Sequence, residues 1–363
     1  MKVHNIDVHS GKPRFSLGCF SLRGQSKAME SKMLADRYVL DKIAILGQAT
    51  AIYAKPNTGK TLLVLWMLIE SIKLRRINGK NVFYVNADDD YKGLVFKTSI
   101  AEQYGFEMLA PGHNGFESAA LLGYLRQLID DGTAHGVVVI LDTLKKFTDL
   151  MNKKTGSEFM TRAREFVASG GTLIMLAHTN KNRDASGKAV FGGTSDIVDD
   201  CDCVFILDEV ARTTTTKQVL FENIKSRGVV TNELAFNYSI EEGKHYQYRL
   251  NSVEKADKAT SYQAKKAKEA MTRRKKDKPA IDAITEAIKS GHGLKTELIK
   301  TASEDSGESR RTLIRVLNAY EGENLADDCL WSFSVGEKGA KSYYLLTERQ
   351  AGESEYRIAK NGE

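Results

Sequence analysis

Several things are missing from this chain of 363 residues. No apolar stretch approaches the length of a membrane span, and the polar opening Met1–Lys12 lacks the apolar core of a secretory signal. Cysteine is scarce and scattered, at Cys19, Cys201, Cys203 and Cys329. Cys201-Asp202-Cys203 lacks zinc-ligand spacing, and no paired His/Cys motif accompanies it. No segment repeats. These absences argue against a membrane protein, a disulfide scaffold, a structural zinc site and a solenoid, and they fit buried thiols in a reducing cytoplasm. The length allows one substantial core and a second, smaller domain.

Charge is plentiful but unevenly placed. The chain carries 53 Lys and Arg against 47 Asp and Glu, a net of +6. Residues 255–278 alone hold ten Lys or Arg and three Asp or Glu, so the remainder is close to neutral. A block of this kind reads as a contact segment for a polyanion or as a solvated linker, and the two can hold together.

The most specific pattern is Ala54-Lys55-Pro56-Asn57-Thr58-Gly59-Lys60-Thr61, which follows the apolar run Thr50–Tyr53 and opens the apolar run Leu62–Ile72. Strand, loop and helix in this order are the setting of a phosphate loop. Backbone N–H groups of the loop and of the helix start converge on an anion that the helix dipole also favours. Lys60 is expected to reach the β- and γ-phosphates of ATP, and the Thr61 hydroxyl to hold Mg²⁺. Ala54 stands where the pattern usually has its first glycine.

From Tyr38 to Leu250, runs rich in Val, Ile, Leu and Phe alternate with helical ones. That is the signature of an α/β fold whose parallel-rich sheet is covered on both faces. Strands are predicted at Thr50–Ala54, Asn81–Asn86, Val137–Asp142, Thr172–His178, Cys203–Leu207, Val219–Ile224 and Leu234–Tyr238. Ligands in such folds collect at the carboxyl ends of strands, so the polar residues closing each run are the candidates. Asp142 closes its strand in the manner of a Walker B carboxylate, orienting the Mg²⁺ shell through water or Thr61. Asp88, Asp89 and Asp90 follow another strand; one of them would orient and deprotonate an attacking water, the alternative being a solvated acidic turn. His178 is placed to sense the γ-phosphate. Lys225 and Arg227 would bind phosphates in cis or reach a neighbouring subunit's nucleotide as an arginine finger.

Taken in order, Tyr38-Val39-Leu40, the phosphate loop, Ala87-Asp88-Asp89-Asp90, Asp142, His178-Thr179-Asn180-Lys181 and Lys225-x-Arg227-Gly228 resemble the RecA-like hexameric ATPases. Among these the pattern is most similar to the plasmid and phage RepA-type replicative helicases, over about residues 35–250. The resemblance implies a RecA-like P-loop fold, ATP and Mg²⁺ as cofactors, and a homo-hexameric ring in which Lys225 and Arg227 act in trans. The family's catalytic glutamate falls on Asp88, whose side chain is shorter, with Asp89 able to share the role. In RecA-like rings the loops after the chemistry strands face the channel. Here one is flanked by Lys145-Lys146 and Lys153-Lys154, and the other carries Lys181, Arg183 and Lys188 ahead of Phe191-Gly192-Gly193. These loops are expected to grip the backbone of single-stranded DNA.

Beyond the basic segment the pattern changes. Pro279 is expected in the first turn of a helix running to Ser290, followed by a second helix at Leu294–Thr301 and a third capped by Ser309. In the third, Leu313, Val316, Leu317 and Tyr320 form the buried stripe and leave Arg310, Arg311 and Arg315 outward. Trp331, Phe333 and Val335, then Tyr343 and Leu345, alternate around a turn carrying Lys338 and Lys341, which predicts a hairpin. Three helices and a hairpin look like a winged helix-turn-helix, with the third helix in the major groove of duplex DNA and the two lysines on phosphates.

The predicted organisation is an N-terminal arm (1–37), a RecA-like P-loop ATPase domain (38–250), a basic linker (251–278), a winged-helix-like DNA-binding domain (279–347) and a polar tail (348–363). The arm is either a surface tether or a contact to a neighbouring subunit. The expected function is a cytoplasmic, DNA-dependent ATPase acting as a replicative helicase, with a replication initiator or primase as a possible partner. A recombination or repair ATPase without processive unwinding, and a nucleotide-gated regulator or loader, are the alternatives.

Overall fold

The computed structural model describes residues 17–31, 37–180, 189–193, 195–323, 328–336 and 339–346. They fall into two compact units, one holding the described residues up to Ala256 and the other those from Asp257 onward.

In the first unit a short helix α1 (Ser26–Glu30) precedes a small hairpin of β1 (Tyr38–Leu40) and β2 (Ala44–Ile45). Then follow β3 (Ala49–Ala54), α2 (Lys60–Lys73), β4 (Val82–Asn86), α3 (Tyr91–Tyr104), β5 (Glu107–Leu109), α4 (Leu121–Asp130) and β6 (Val138–Asp142). The unit continues through α5 (Lys153–Ala168), β7 (Thr172–His178), α6 (Ser195–Asp200), β8 (Cys203–Arg212), β9 (Thr216–Ser226), β10 (Glu233–Ser239), α7 (Tyr246–Asn251) and β11 (Glu254–Lys255).

The main sheet runs in the order β11-β10-β9-β8-β3-β7-β6-β4-β5. Every pairing from β8 to β5 is parallel, and the three pairings from β8 to β11 are antiparallel. Chain length dictates the change. A parallel return needs a crossover of about a dozen residues or more. Only Thr213–Thr215 separate β8 from β9, so β9 has to fold back beside its predecessor.

The central strands are buried on both faces, which is why they read as unbroken apolar runs. Along β3 the two-residue period sends Ile52 and Ala54 into the core under α2, with Leu63 and Leu65. Ala49, Ala51 and Tyr53 enter the opposite core, with Phe159 and Phe166 of α5. β7 coincides with its predicted range, whereas β8 and β9 extend past theirs into largely polar residues. The short strands β1, β2, β5 and β11 carry too few residues for a period to show.

The second unit opens with α8 (Lys258–Lys289), a single helix of 32 residues with Pro279 inside it. This corrects two expectations: the basic segment is helical rather than a linker, and Pro279 does not start a helix. Residues 258–278 are rich in Ala, Lys, Gln, Glu, Met and Arg, all strong helix formers, and Asp257 caps the start by accepting from the Thr260 N–H at 3.1 Å. Pro279 lacks the N–H for a bond to the carbonyl four residues back and crowds that carbonyl with its ring, a cost of about 3 kcal/mol in a helix interior, and the helix nevertheless continues across it.

Helices α9 (Lys295–Ser306) and α10 (Arg310–Ala319) and a hairpin of β12 (Trp331–Val335) and β13 (Lys341–Leu345) complete the unit. Ile284, Leu298, Leu313, Leu317 and Trp331 lie in its core. The Trp331 indole N–H donates to the Leu317 carbonyl at 2.7 Å, so this large ring brings no unsatisfied polar atom inside. Ser309 accepts from the Thr312 N–H at 3.1 Å, the expected cap. The whole is a mixed α/β protein with a large, mostly parallel central sheet, and no described helix is long and apolar enough to cross a membrane.

Candidate nucleotide site

The parallel strands β3, β7, β6 and β4 all end at one edge of the sheet. Register places Ala54 beside His178 and Asp142 beside Asn86. At this edge lies a cleft of about 810 Å³, lined by the loop from Lys55 to Leu62 and by side chains from much of the unit.

The loop has the conformation its sequence demands. Gly59 caps α2 with φ of +94°, and Asn57 is also left-handed at +61°. Lys60 is only 7 % exposed and makes no hydrogen bond or ion pair with another described residue. Burial pushes its ammonium pKa down, opposed by the fields of Asp142 and Asp88. A nearly buried, unpartnered cation is costly unless an anion joins it.

Asp142 is 2 % exposed, and one of its oxygens accepts both the Thr61 hydroxyl at 2.7 Å and the Tyr84 hydroxyl at 2.8 Å. A hydroxyl and a carboxylate joined beside a phosphate loop suit Mg²⁺, which takes one or two protein oxygens and completes its shell with phosphate and water. Among the described residues, no group of three or more His, Cys, Asp or Glu is placed to hold a metal ion.

The three consecutive carboxylates separate into three roles. Asp90 caps α3, accepting from the Gly93 N–H at 2.8 Å. Asp89 pairs with the nearly buried Lys97 at 2.5 Å and accepts from the Asn86 amide at 2.9 Å. Asp88 has only a loose contact, 3.7 Å to Lys145, and lines the cleft. Asp89 lines the cleft too, but its Oδ2 is engaged by Lys97 and Asn86, which leaves Asp88 the less engaged of the two.

His178 also lines the cleft. Its Nδ1 lies 3.3 Å from the Ala54 carbonyl, so the tautomer with hydrogen on Nδ1 donates there and presents a lone pair at Nε2. Burial, then the charge of Lys60, lowers its pKa below 6.5. A neutral ring in this tautomer accepts from water; contact with a phosphate oxygen requires protonation or the other tautomer.

Several expected positions lie elsewhere. Lys225 and Arg227 sit at the far end of the sheet, since Cys203 pairs with both Thr50 and Ser226. There Lys225 donates to the carbonyls of Val198 and Asp199, and Arg227 donates to the Asp199 carbonyl and pairs with Asp202 at 3.7 Å. Neither lines the cleft of its own chain, which removes the cis reading. Lys145, expected on a DNA loop, lines the cleft, while Lys146, Lys153 and Lys154 are exposed. In the second unit Arg310 and Arg311 are exposed at the start of α10. Arg315 is exposed as well, but its guanidinium is engaged, gripping the buried Asp277 at 2.5 Å. Lys341 pairs with Glu321 at 3.0 Å and lies over the Phe333 ring. Lys181, Arg183, Lys188 and Lys338 lie outside the described residues.

Sequence reasoning missed part of the cleft wall: Lys97, Arg212, Lys217, Tyr238, Tyr246 and Arg249. The Arg249 Nε is buried without a hydrogen-bond partner among the described residues. With Lys60 and Lys145, the wall holds more cations than carboxylates, and its volume suits a ligand of nucleotide size. No protein-family model matches the chain, and no curated protein matches it.

Proposed function

We propose that this protein is a DNA-dependent ATPase of the RecA-like class, a ring-forming replicative-type helicase. The observation that carries the nucleotide reading is Lys60, nearly buried and without a partner among the described residues, behind a left-handed glycine and beside the joined Thr61 and Asp142. Loop N–H groups and Lys60 would hold the phosphates of ATP. Thr61 and Asp142 would hold Mg²⁺, which supplies charge neutralisation when bound. Asp88, which lies 3.7 Å from Lys145 and lines the cleft, orients and deprotonates water. Because Lys225 and Arg227 are turned away from their own cleft, a nucleotide contact by them requires a second copy. The homo-hexamer is part of this reading, with Lys225 and Arg227 acting in trans as the resemblance implies.

Three helices and a hairpin with exposed Arg310 and Arg311 support a winged helix-turn-helix module on duplex DNA, continuous with the basic α8. The expected single-strand grip is the loop around Lys181, Arg183 and Lys188. A cytoplasmic setting and a replication initiator or primase as partner belong to the same reading.

The test is ATP-dependent unwinding of a forked duplex, with Lys60→Ala as control. Strand separation lost in the variant supports the helicase. Turnover stimulated by single-stranded DNA without unwinding supports a recombination ATPase. Absence of both leaves the nucleotide-gated regulator, a reading that the short Asp88 side chain and its Lys145 contact favour.

A further inference from the structure

A phosphate loop works through N–H groups that point at its ligand. Peptide planarity then turns the carbonyls of the same units the other way, where they need partners of their own. Two successive carbonyls of this loop have such partners, both from the antiparallel flank of the sheet. Lys217 of β9 donates from Nζ to the Asn57 carbonyl at 2.8 Å. Tyr238 of β10 donates from its hydroxyl to the Thr58 carbonyl at 2.9 Å. The two residues are directly opposite each other in the β9–β10 register, and the Lys217 ammonium lies 5.9 Å from the Tyr238 ring centroid.

Both side chains are built in. Lys217 is 6 % exposed and Tyr238 is 5 % exposed. Glu209, on β8, pairs with the Lys217 ammonium at 3.2 Å and so supplies its counter-charge. Gly59 completes the fit: a Cβ there would lie 2.6 Å from the Tyr238 hydroxyl, so glycine is required for close approach as well as for its φ. The Thr58 N–H closes back on the Lys55 carbonyl at 3.4 Å, while the Gly59 N–H, opposite the Thr58 carbonyl across one planar peptide, is turned away from Tyr238.

We propose that Lys217 and Tyr238 are positioning residues, a two-point clamp that presets the phosphate loop, with its left-handed Asn57 and Gly59, for a nucleoside polyphosphate. The clamp acts before any ligand arrives. Without it the loop would sample other backbone states, and binding would have to fix them. The clamp therefore governs nucleotide affinity and leaves the chemical step largely alone. It also explains why an antiparallel hairpin extends the sheet beside the loop: two strands in register deliver two donors to adjacent carbonyls.

This inference rests on the nucleotide reading, and the experiment separates the two. Fluorescent Mg·ATP and Mg·ADP analogues are titrated into full-length wild type, Lys60→Ala, Lys217→Met, Lys217→Arg, Tyr238→Phe and Val219→Ala, with thermal unfolding of each without nucleotide. Val219 is fully buried on β9 outside the clamp and serves as the control for general destabilisation. Lys217→Met is expected to weaken both nucleotides about tenfold or more, and Tyr238→Phe about fivefold, as loss of a charged and a neutral hydrogen bond respectively. Lys217→Arg should recover part of the loss, since a guanidinium can donate to the same carbonyl. Turnover at saturating ATP should stay within about twofold of wild type if chemistry is spared. A Val219→Ala protein that melts earlier yet binds normally would exclude a merely structural effect. Wild type that fails to bind either nucleotide overturns the nucleotide reading. Wild type that binds, with Tyr238→Phe and Lys217→Met binding equally well, overturns the clamp alone. Should Lys217→Met not fold, Tyr238→Phe, which removes one oxygen, decides the matter.

Discussion

Removing the Arg315 side chain should damage the second unit more than removing the charge of its partner. Asp277 lies on α8 with its side chain 1 % exposed, and Arg315 reaches it from α10 with contacts at 2.5 and 3.3 Å. The Tyr320 hydroxyl donates to the same carboxylate at 3.2 Å. Arg315 itself is half exposed, at 52 %. This asymmetry sets the prediction. Arg315→Ala strands a buried carboxylate with one neutral donor, a change that typically costs about 3–5 kcal/mol. Water can enter where the half-exposed guanidinium lay, so the lower end, about 3 kcal/mol, is expected. Asp277→Asn instead leaves a guanidinium that can turn into solvent, while the Tyr320 hydroxyl can still donate to the amide oxygen. Its cost should be about 1–2 kcal/mol. The double variant should be less damaged than Arg315→Ala alone, because no stranded charge remains.

The reporter is built into the molecule. Trp331 is the single tryptophan after residue 257 and is fully buried in this core, so its fluorescence in a Trp66→Phe background follows the second unit. For a domain of this size, Arg315→Ala should lower the midpoint by about 12–24 °C, at about 4–8 °C per kcal/mol. A loss under about 1 kcal/mol, or a larger loss for Asp277→Asn, would refute the argument. Duplex DNA affinity that falls with no change in unfolding would return Arg315 to the role its sequence position suggested.

Three further outcomes are expected. Asp88→Ala should cut ATP turnover by about 100-fold or more while nucleotide binding persists, whereas Asp90→Ala should cost about 1 kcal/mol of stability through the lost cap of α3 and leave turnover largely intact; phosphate release and thermal unfolding read the two. His178 has its folded-state pKa lowered, so its contribution to stability is complete above 6.5, the unfolded value, and is lost as pH falls through the folded value; His178→Gln should therefore lose less melting temperature than wild type between neutral and mildly acidic pH, and parallel curves would contradict the assignment. Replacing Arg310 and Arg311 with alanine should weaken duplex DNA binding and reduce the slope of log K against log salt by about 2 in anisotropy titrations; unchanged binding would favour protein docking by this unit.

Much of the parallel sheet could be read from sequence because burial on both faces removes polar residues from its strands. Thr172–His178 shows this, as does β3, where all six residues are buried. The antiparallel flank was read short. β8 continues past the core as a half-exposed ladder over Asp208–Arg212, and β9 starts earlier, at Thr216–Gln218, where Lys217 and Gln218 are polar yet buried, so composition no longer separates strand from turn. The basic segment misled because charge density was read as solvation. Charge does not oppose a helix when the residues carrying it are good helix formers, and α8 runs unbroken through Pro279.

The candidate site divides along the same line. Lys60, Thr61, Asp88, Asp142 and His178 each stand next to a strand end or phosphate loop that sequence marks, and the fold brings them to one edge. The rest of the cleft has no local signature. Lys217 and Tyr238 are ordinary strand residues until register sets them opposite each other and a neighbouring loop turns its carbonyls toward them. Nor does adjacency show function: Asp88, Asp89 and Asp90 are indistinguishable as a triplet, yet Asp90 caps a helix, and of the two that line the cleft Asp89 neutralises a nearly buried lysine while Asp88 makes only a loose contact to Lys145 among the described residues. Each assignment depends on which donor α3 brings within reach, the Gly93 N–H for Asp90 and the Lys97 ammonium for Asp89. Asp88 is the carboxylate that this helix leaves unclaimed, and that selection is made by packing rather than by the order of residues along the chain.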